Sequence, residues 1–178
     1  MSRHTHEVHV RESGRGESAK DYLPLVVIVL LSAFVGAAKQ VHYGEWRTDS
    51  WMLDFMGVFL VIFSAFKFFD LKGFADGFGM YDLLAKRFRP YAFLYPFLEL
   101  ALGLGYLARL QLPVVLTATI ALMGFGTLGV IGALRRGLDV NCACMGTALR
   151  VPLSSVALLE DLGMAAMAAV MLTMRMGH

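Results

Sequence analysis

The chain has 178 residues, 57% of them hydrophobic, and a mean hydropathy of +0.61. A soluble globular domain is about 45–50% apolar, and the formal net charge of +2 is too small to indicate a nucleic-acid partner. The composition therefore excludes an ordinary soluble domain. It predicts an integral membrane protein whose first partner is the lipid bilayer.

Residues 1–21 are polar, with mixed charges and several glycines and serines. This composition predicts a solvated, disordered tail. The segment lacks the short apolar core and small-residue cleavage site of a secretory signal. We therefore expect the first apolar run, 22–38, to remain as an anchor, and residues 22–178 to form a single transmembrane domain.

Four further apolar runs follow, at 51–69, 91–110, 112–134 and 154–174. A helix needs about 20 mostly apolar residues to cross a bilayer, so the chain is predicted to be all-α, a polytopic helical bundle with five spans. Residues 70–90 mix Phe and Leu with Lys and Arg and predict an interfacial amphipathic segment. The very short link at 111–113 predicts an antiparallel hairpin of the third and fourth spans.

Small residues in the fourth run predict close contacts between helices. They are Gly124, Gly126, Gly129 and Gly132.

The distribution of basic residues predicts the orientation. With five spans, twelve of the 16 lysines and arginines lie on the side of the tail, the 70–90 segment and the loop at 135–153. Loops rich in Lys and Arg stay in the cytoplasm. We therefore expect a multi-pass protein of a bacterial inner membrane with a cytoplasmic N-terminus and a cytoplasmic 135–153 loop.

Four ionisable residues fall inside or at the ends of the predicted spans: Lys67, Glu99, Glu160 and Asp161. At about 1.5 Å rise per residue, the two glutamates lie roughly 10–12 Å from the same end of the bundle, with Lys67 closer to that end. Charges at such depth are costly and often mark function. The common depth of these ionisable side chains predicts a functional site. The alternative is that Lys67 extends to the interface while Glu99 and Asp161 only link helices.

The only two cysteines, Cys142 and Cys144, lie in "NCACMGT", residues 141–147. A disulfide across one intervening residue is tight and easily reduced, which suits a relay. The same thiolates can bind a soft metal ion. Nearby Arg135, Arg136 and Arg150 should lower the pKa of the thiols and make them reactive. The third possibility is a pair of small inert residues.

One face of the last span carries soft ligands. Thioethers suit Cu(I), although methionine is also a common gap-filler in apolar cores. The residues of this face are Glu160, Met164, Met167, Met171 and Met174. In a metal hypothesis Cys142, Cys144 and Met145 capture the ion, and Glu160, Met164 and Met167 pass it along.

Two stretches resemble a known family. They are "FKFFDLKGFADGFGMYDLLAKRFRPYAFLYPFLELALGLGYL", residues 66–107, and "VNCACMGTALRVPLSSVALLEDLGMAAMAAVML", residues 140–172. Together they look like the MauE/DoxX-type redox-associated membrane proteins. The resemblance implies thiol redox chemistry or metal handling at a membrane, and for MauE a link to methylamine utilisation through maturation of methylamine dehydrogenase. It matches Cys142, Cys144, Glu99, Glu160 and Asp161 to polar positions of the family.

Relatives of that family occur beside or fused to glutaredoxin-like or heavy-metal-associated domains. The resemblance therefore implies a separate glutaredoxin-like, thioredoxin-like or metal-carrier partner for this chain.

Three functional hypotheses follow. The first is a thiol–disulfide redox protein, an oxidoreductase or an accessory protein. In it, Cys142 and Cys144 cycle, Lys67 tunes them, and Glu99 or Glu160, beside Asp161, manages protons. The alternative is a protein that binds or transports a soft metal ion, copper or mercury. The third is an assembly factor without chemistry of its own.

Overall fold

The computed structural model describes residues 22–135 and 153–176, and this part of the chain contains helices and no strand. The prediction of an all-α helical bundle is confirmed. The predicted tail at 1–21 and most of the 135–153 loop lie outside the described residues. The described helices are α1 Leu23–Tyr43, α2 Thr48–Phe69, α3 Leu71–Tyr81, α4 Arg89–Leu107, α5 Leu112–Arg135 and α6 Leu153–Met176.

Four helices in the described part are long and apolar enough to cross a membrane: α1, α2, α5 and residues Val156–Met176 of α6. The expectation of five spans is thus met for four. The remaining predicted span, 91–110, is helical as α4, but it does not reach the same apolar length. The reason lies in its composition, because Arg89 begins the helix and Glu99 lies inside it.

Two glycines bring α2 and α4 into close contact. A Cβ at Gly57 would lie 3.0 Å from the carbonyl oxygen of Gly103, and a Cβ at Gly103 would lie 3.0 Å from that of Gly57. Small residues of this kind let helix backbones approach in lipid. The link between α4 and α5 is short, as predicted, but it lies at 108–111 rather than 111–113, because α5 begins at Leu112. It turns sharply where Arg109 and Gln111 have positive φ angles, 56° and 38°.

Helix α3 is the predicted amphipathic segment, and its apolar face packs against the bundle. Asp70 caps its start by accepting a hydrogen bond from the backbone N–H of Gly73 at 2.9 Å. Phe74 and Phe78 are buried and contact the ring of Tyr95 in α4, with centroids 6.1 and 4.5 Å away. This packing covers one flank of the ionisable layer.

Aromatic rings form a continuous stack along α2. Neighbouring ring centroids are between 4.5 and 6.4 Å apart along Trp46, Trp51, Phe55, Phe59 and Phe63. The indole N–H of Trp51 donates to the carbonyl oxygen of Ala33 at 3.2 Å. Its ring also lies 3.2 Å from where a Cβ of Gly36 would be. This stack fixes α1 against α2 at the end of the bundle remote from α3.

Candidate functional site

Three helices meet at one ammonium group. The Nζ of Lys67, near the end of α2, donates to Oε1 of Glu99 in α4 and, at 3.1 Å, to Oε1 of Glu160 in α6. The exposed fractions of these residues are 1%, 0% and 3%. We call Lys67, Glu99 and Glu160 the inner cluster. The structure therefore brings together three of the residues that depth matching placed in one layer.

The alternative in which Lys67 extends to the interface is wrong. The side chain turns inward, and aromatic rings surround its ammonium group. Nζ lies 5.2 Å from the ring centroid of Tyr95, 5.4 Å from that of Phe74 and 5.8 Å from that of Phe63. Cation–π contacts of this kind partly replace the lost hydration of a buried cation.

Asp161 adjoins the inner cluster from α6 and packs against α5. It is 6% exposed. A Cβ at Gly126 would lie 2.6 Å from Oδ2 of Asp161, so a larger residue at this position would displace the carboxyl group. Gly129 likewise contacts the turn after α3, with Cα of Asp82 at 3.1 Å from its would-be Cβ. The other two glycines predicted to make close contacts, Gly124 and Gly132, instead have no neighbouring atom within 4 Å of their would-be Cβ.

Carboxyl groups outnumber the cation in this layer. Glu99 and Glu160 share the ammonium group of Lys67. The charges of these three residues all act on Asp161. Within the described part of the chain, Oε2 of Glu99 is buried without a hydrogen-bond partner. Burying charges without full pairing is costly. The layer therefore has an excess of acid that the described side chains do not neutralise.

One acidic residue of this region escaped the sequence analysis. Asp82 follows α3 and is fully buried. Its Oδ1 accepts hydrogen bonds from the backbone N–H groups of Leu84 at 2.9 Å and Ala85 at 2.8 Å. Burial raises the pKa of Asp82 above its ordinary value, although these two N–H groups and the charge of Lys86 act in the opposite direction. An aspartate two residues before a backbone donor is a turn signal, and this signal could have located it.

A second ionic group lies at the opposite end of α2. Oδ1 of Asp54 accepts a hydrogen bond from Nζ of Lys39 at 2.6 Å and forms a salt bridge with Nη2 of Arg109 at 2.9 Å. Arg109 also donates to the carbonyl and hydroxyl oxygens of Ser50 at 3.1 and 3.0 Å. We call Asp54, Lys39 and Arg109 the Asp54 cluster. It joins α1, α2 and the turn after α4, and none of its three residues is among the predicted site residues.

The methionine face of α6 divides between core and surface. Met164 and Met171 are almost fully buried, Met167 is half-buried and Met174 is 50% exposed. Among residues 22–135 and 153–176, no three His, Cys, Asp or Glu side chains form a group that could hold a metal ion. Cys142 and Cys144, which both hypotheses use, and Met145, which only the metal hypothesis uses, lie outside the described residues.

These features define a class: a polytopic helical membrane protein with a buried ionic cluster, one member of which lies on the helix that follows a Cys-x-Cys segment. The family model described as "Methylamine utilisation protein MauE" matches residues 45–174. The chain belongs to the MauE family. No curated protein and no solved structure gives a significant match.

Proposed function

We propose that this protein is a membrane thiol–disulfide exchange protein that serves the maturation of partner proteins in methylamine utilisation. Cys142 and Cys144 form the exchanging pair. The proposed site lies at the cytoplasmic face of a bacterial inner membrane, with a cytoplasmic N-terminus, and its partner is a separate thioredoxin-like or glutaredoxin-like protein.

The observation that carries the proposal is the position of the inner cluster. The segment with the cysteines joins the end of α5 to the start of α6, and Glu160 lies seven residues into α6, about 10 Å along its axis. One member of the buried inner cluster thus lies on the helix that follows the cysteine segment, which supports a link between the two. The arginines that flank the cysteines favour the thiolate form. Membership of the MauE family supports the proposed role in methylamine utilisation.

The proposed reaction is exchange with a partner disulfide. The thiolate of one cysteine attacks a partner sulfur, forms a mixed disulfide and releases a partner thiolate. The second cysteine then attacks the mixed disulfide, closes the Cys142–Cys144 disulfide and releases the second partner thiolate. Two electrons pass to the partner sulfurs, and the two protons lost by the cysteines end on the partner thiols. The reverse sequence oxidises the partner.

The test uses the full-length protein in lipid nanodiscs with oxidised thioredoxin or glutaredoxin as the probe. Because the chain has only two cysteines, alkylation followed by a gel shift reports their state directly. We expect Cys142 and Cys144 to oxidise as the probe is reduced. Each single variant, Cys142→Ser or Cys144→Ser, should accumulate a mixed disulfide with the probe. The double variant should neither reduce the probe nor form a mixed disulfide. Thiols that stay reduced at every probe potential would refute the proposal.

The soft-metal hypothesis, copper or mercury held by Cys142, Cys144, Met145, Glu160, Met164 and Met167, ranks second. Glu160 already accepts a hydrogen bond from Lys67, and the buried Met164 fills the core. The nanodisc preparation tests it with Cu(I) as the probe. Stoichiometric Cu(I) binding that protects both thiols from alkylation and is lost in the double serine variant would favour metal handling over exchange.

A further inference from the structure

Asp82 is more deeply buried than its structural role requires. An aspartate that caps a turn needs one oxygen for the backbone donors, and Asp70 performs this role for α3 at a half-buried position. Asp82 also uses Oδ1 alone, for the N–H groups of Leu84 and Ala85. Its Oδ2 is buried without a hydrogen-bond partner in the described regions. One oxygen therefore holds the side chain in place while the other remains free to carry a proton.

The contacts on α5 place Asp82 next to Asp161. Gly129 lies against the backbone of Asp82, and Gly126 lies against the carboxyl group of Asp161. Positions three residues apart are neighbours on one helix face, separated by about 4.5 Å along the axis. The charge of Asp82 accordingly acts on Asp161. The two acids thus occupy successive positions along one groove of α5.

From Asp161 the series continues into the inner cluster. Glu160 precedes Asp161 in the chain and shares the ammonium group of Lys67 with Glu99. The carboxyl groups of Glu99 and Glu160 also interact with each other. The second unpartnered oxygen, Oε2 of Glu99, lies at this inner end. The charges of Glu160 and Glu99 both act on Asp161, and the unpartnered oxygen at each end of this series can accept a proton.

Along α2, no acidic residue lies between the inner cluster and Asp54. The buried side chains of this helix between Asp54 and Lys67 are apolar, apart from the hydroxyl of Ser64, which donates to the carbonyl oxygen of Val61 in the same helix. The apolar ones are Met56, Phe59, Leu60 and Phe63. A proton that reaches Glu99 is therefore expected to come from the Asp82 side. The titratable groups facing Asp82 are Lys86 in its own turn, Tyr91 from α4 and Asp161 from α6, while α5 presents Gly129.

We propose that Asp82 and Asp161 form a proton route into the inner cluster, with Asp82 as the entry and the Glu99–Glu160 pair as the store. In each step a proton leaves the O–H of one carboxyl group and joins the carboxylate of the next, and no electrons move. The route goes beyond the proposed thiol exchange, which it can serve because attack by a thiolate first requires the loss of a thiol proton. It does not depend on that exchange, since the acids involved are separate from the cysteines.

The experiment follows protons directly. Protein in nanodiscs receives a rapid pH jump, and the carboxylic C=O stretching band is followed by time-resolved infrared spectroscopy. We expect Glu99→Gln to remove a large part of the band change. We expect Asp82→Asn, which keeps the Oδ1 acceptor for the turn, to retain the band change of the inner cluster but to slow it at least tenfold. Asp161→Asn should slow it similarly.

The matched control is Asp76→Asn, which removes an exposed aspartate from α3 that is paired with Arg89. It should leave the rate unchanged. All variants are also measured with Cys142→Ser and Cys144→Ser, so that inert thiols cannot be mistaken for a failed proton route. The proposal is overturned if no band change is lost in Glu99→Gln, or if both Asp82→Asn and Asp161→Asn fold and exchange protons at the wild-type rate.

Discussion

The two ionic clusters of α2 carry surplus charges of opposite sign. In the Asp54 cluster one buried carboxylate faces two cations, Lys39 and Arg109, whose side chains remain 35% and 31% exposed. In the inner cluster one buried cation faces two buried carboxyl groups, and a third lies beside them. Water can hydrate the surplus charge of the first cluster but not that of the second.

This contrast separates a structural ionic group from a candidate site. Asp54 also has an unpartnered oxygen among the described residues, yet its charge is matched by more than one cation. The unpartnered oxygen of Glu99 belongs to a layer with excess acid. Excess buried acid calls for a proton or another cation. We therefore expect substitutions in the inner cluster to affect both stability and chemistry, and those in the Asp54 cluster to affect stability alone.

The largest effect should come from Lys67→Met. It leaves two or three acids buried without a cation, and breaking a buried ion pair from one side costs about 3–5 kcal/mol. Thermal unfolding in detergent, followed by circular dichroism, should show a strongly destabilised protein. Combining Lys67→Met with Glu99→Gln and Glu160→Gln should recover much of the loss. If Lys67→Met unfolded at the wild-type temperature, the inner cluster would contribute no more to stability than the Asp54 cluster.

The second effect tests how closely Asp161 is held. In Gly126→Ala the new Cβ would lie 2.6 Å from Oδ2 of Asp161, so either the buried carboxyl group or the helices must shift. Overpacking of this kind costs about 1–3 kcal/mol. The control is Gly124→Ala on the same helix, where the new Cβ meets no atom within 4 Å. Equal unfolding temperatures for the two variants would show that Asp161 is not confined by α5.

A smaller effect is expected at the other cluster. Lys39→Met leaves Arg109 bound to Asp54, and the lost ion pair is partly exposed to solvent. Such pairs contribute about 0.2–1 kcal/mol. The same unfolding measurement should show a minor change, which falls further at high salt. A loss comparable to that of Lys67→Met would mean that the two clusters are energetically alike.

The smallest effect concerns pH. Burial raises the pKa of Asp82 in the folded protein, so the folded state retains this proton more readily than the unfolded state. Its contribution to stability therefore declines as the pH rises from the ordinary aspartate value through the raised one. Asp82→Asn should reduce that slope, measured as unfolding free energy against pH, whereas Asp76→Asn should not. An unchanged slope would contradict the burial argument.

Sequence reasoning found the inner cluster because depth along a helix follows from a uniform rise per residue. Lys67, Glu99 and Glu160 could be matched in this way without knowing which helices touch. It could not find the direction of the Lys67 side chain, which depends on the ring of Tyr95 and on α3 folding back against α4.

Spacing alone also could not separate Gly126 from Gly124, because the rotation of α5 is fixed only by its neighbours. The sequence could have indicated the turn at Asp82 but not its burial, which depends on packing of its backbone against Gly129 of α5. The pairing of Asp54 with Arg109 depends on the sharp turn after α4, in which Arg109 has a positive φ angle. The cysteine segment stays a prediction throughout.

The aromatic stack along α2 has a spectroscopic consequence. The chain has only two tryptophans, and they are neighbours in that stack, with centroids 6.4 Å apart. Trp51 lies sixteen positions before Lys67, roughly 24 Å along the helix. Intrinsic tryptophan fluorescence therefore reports on the junction of α1 and α2 and not on the inner cluster. Replacing Phe97, which contacts Phe68 next to Lys67, with tryptophan would place an emitter beside that layer.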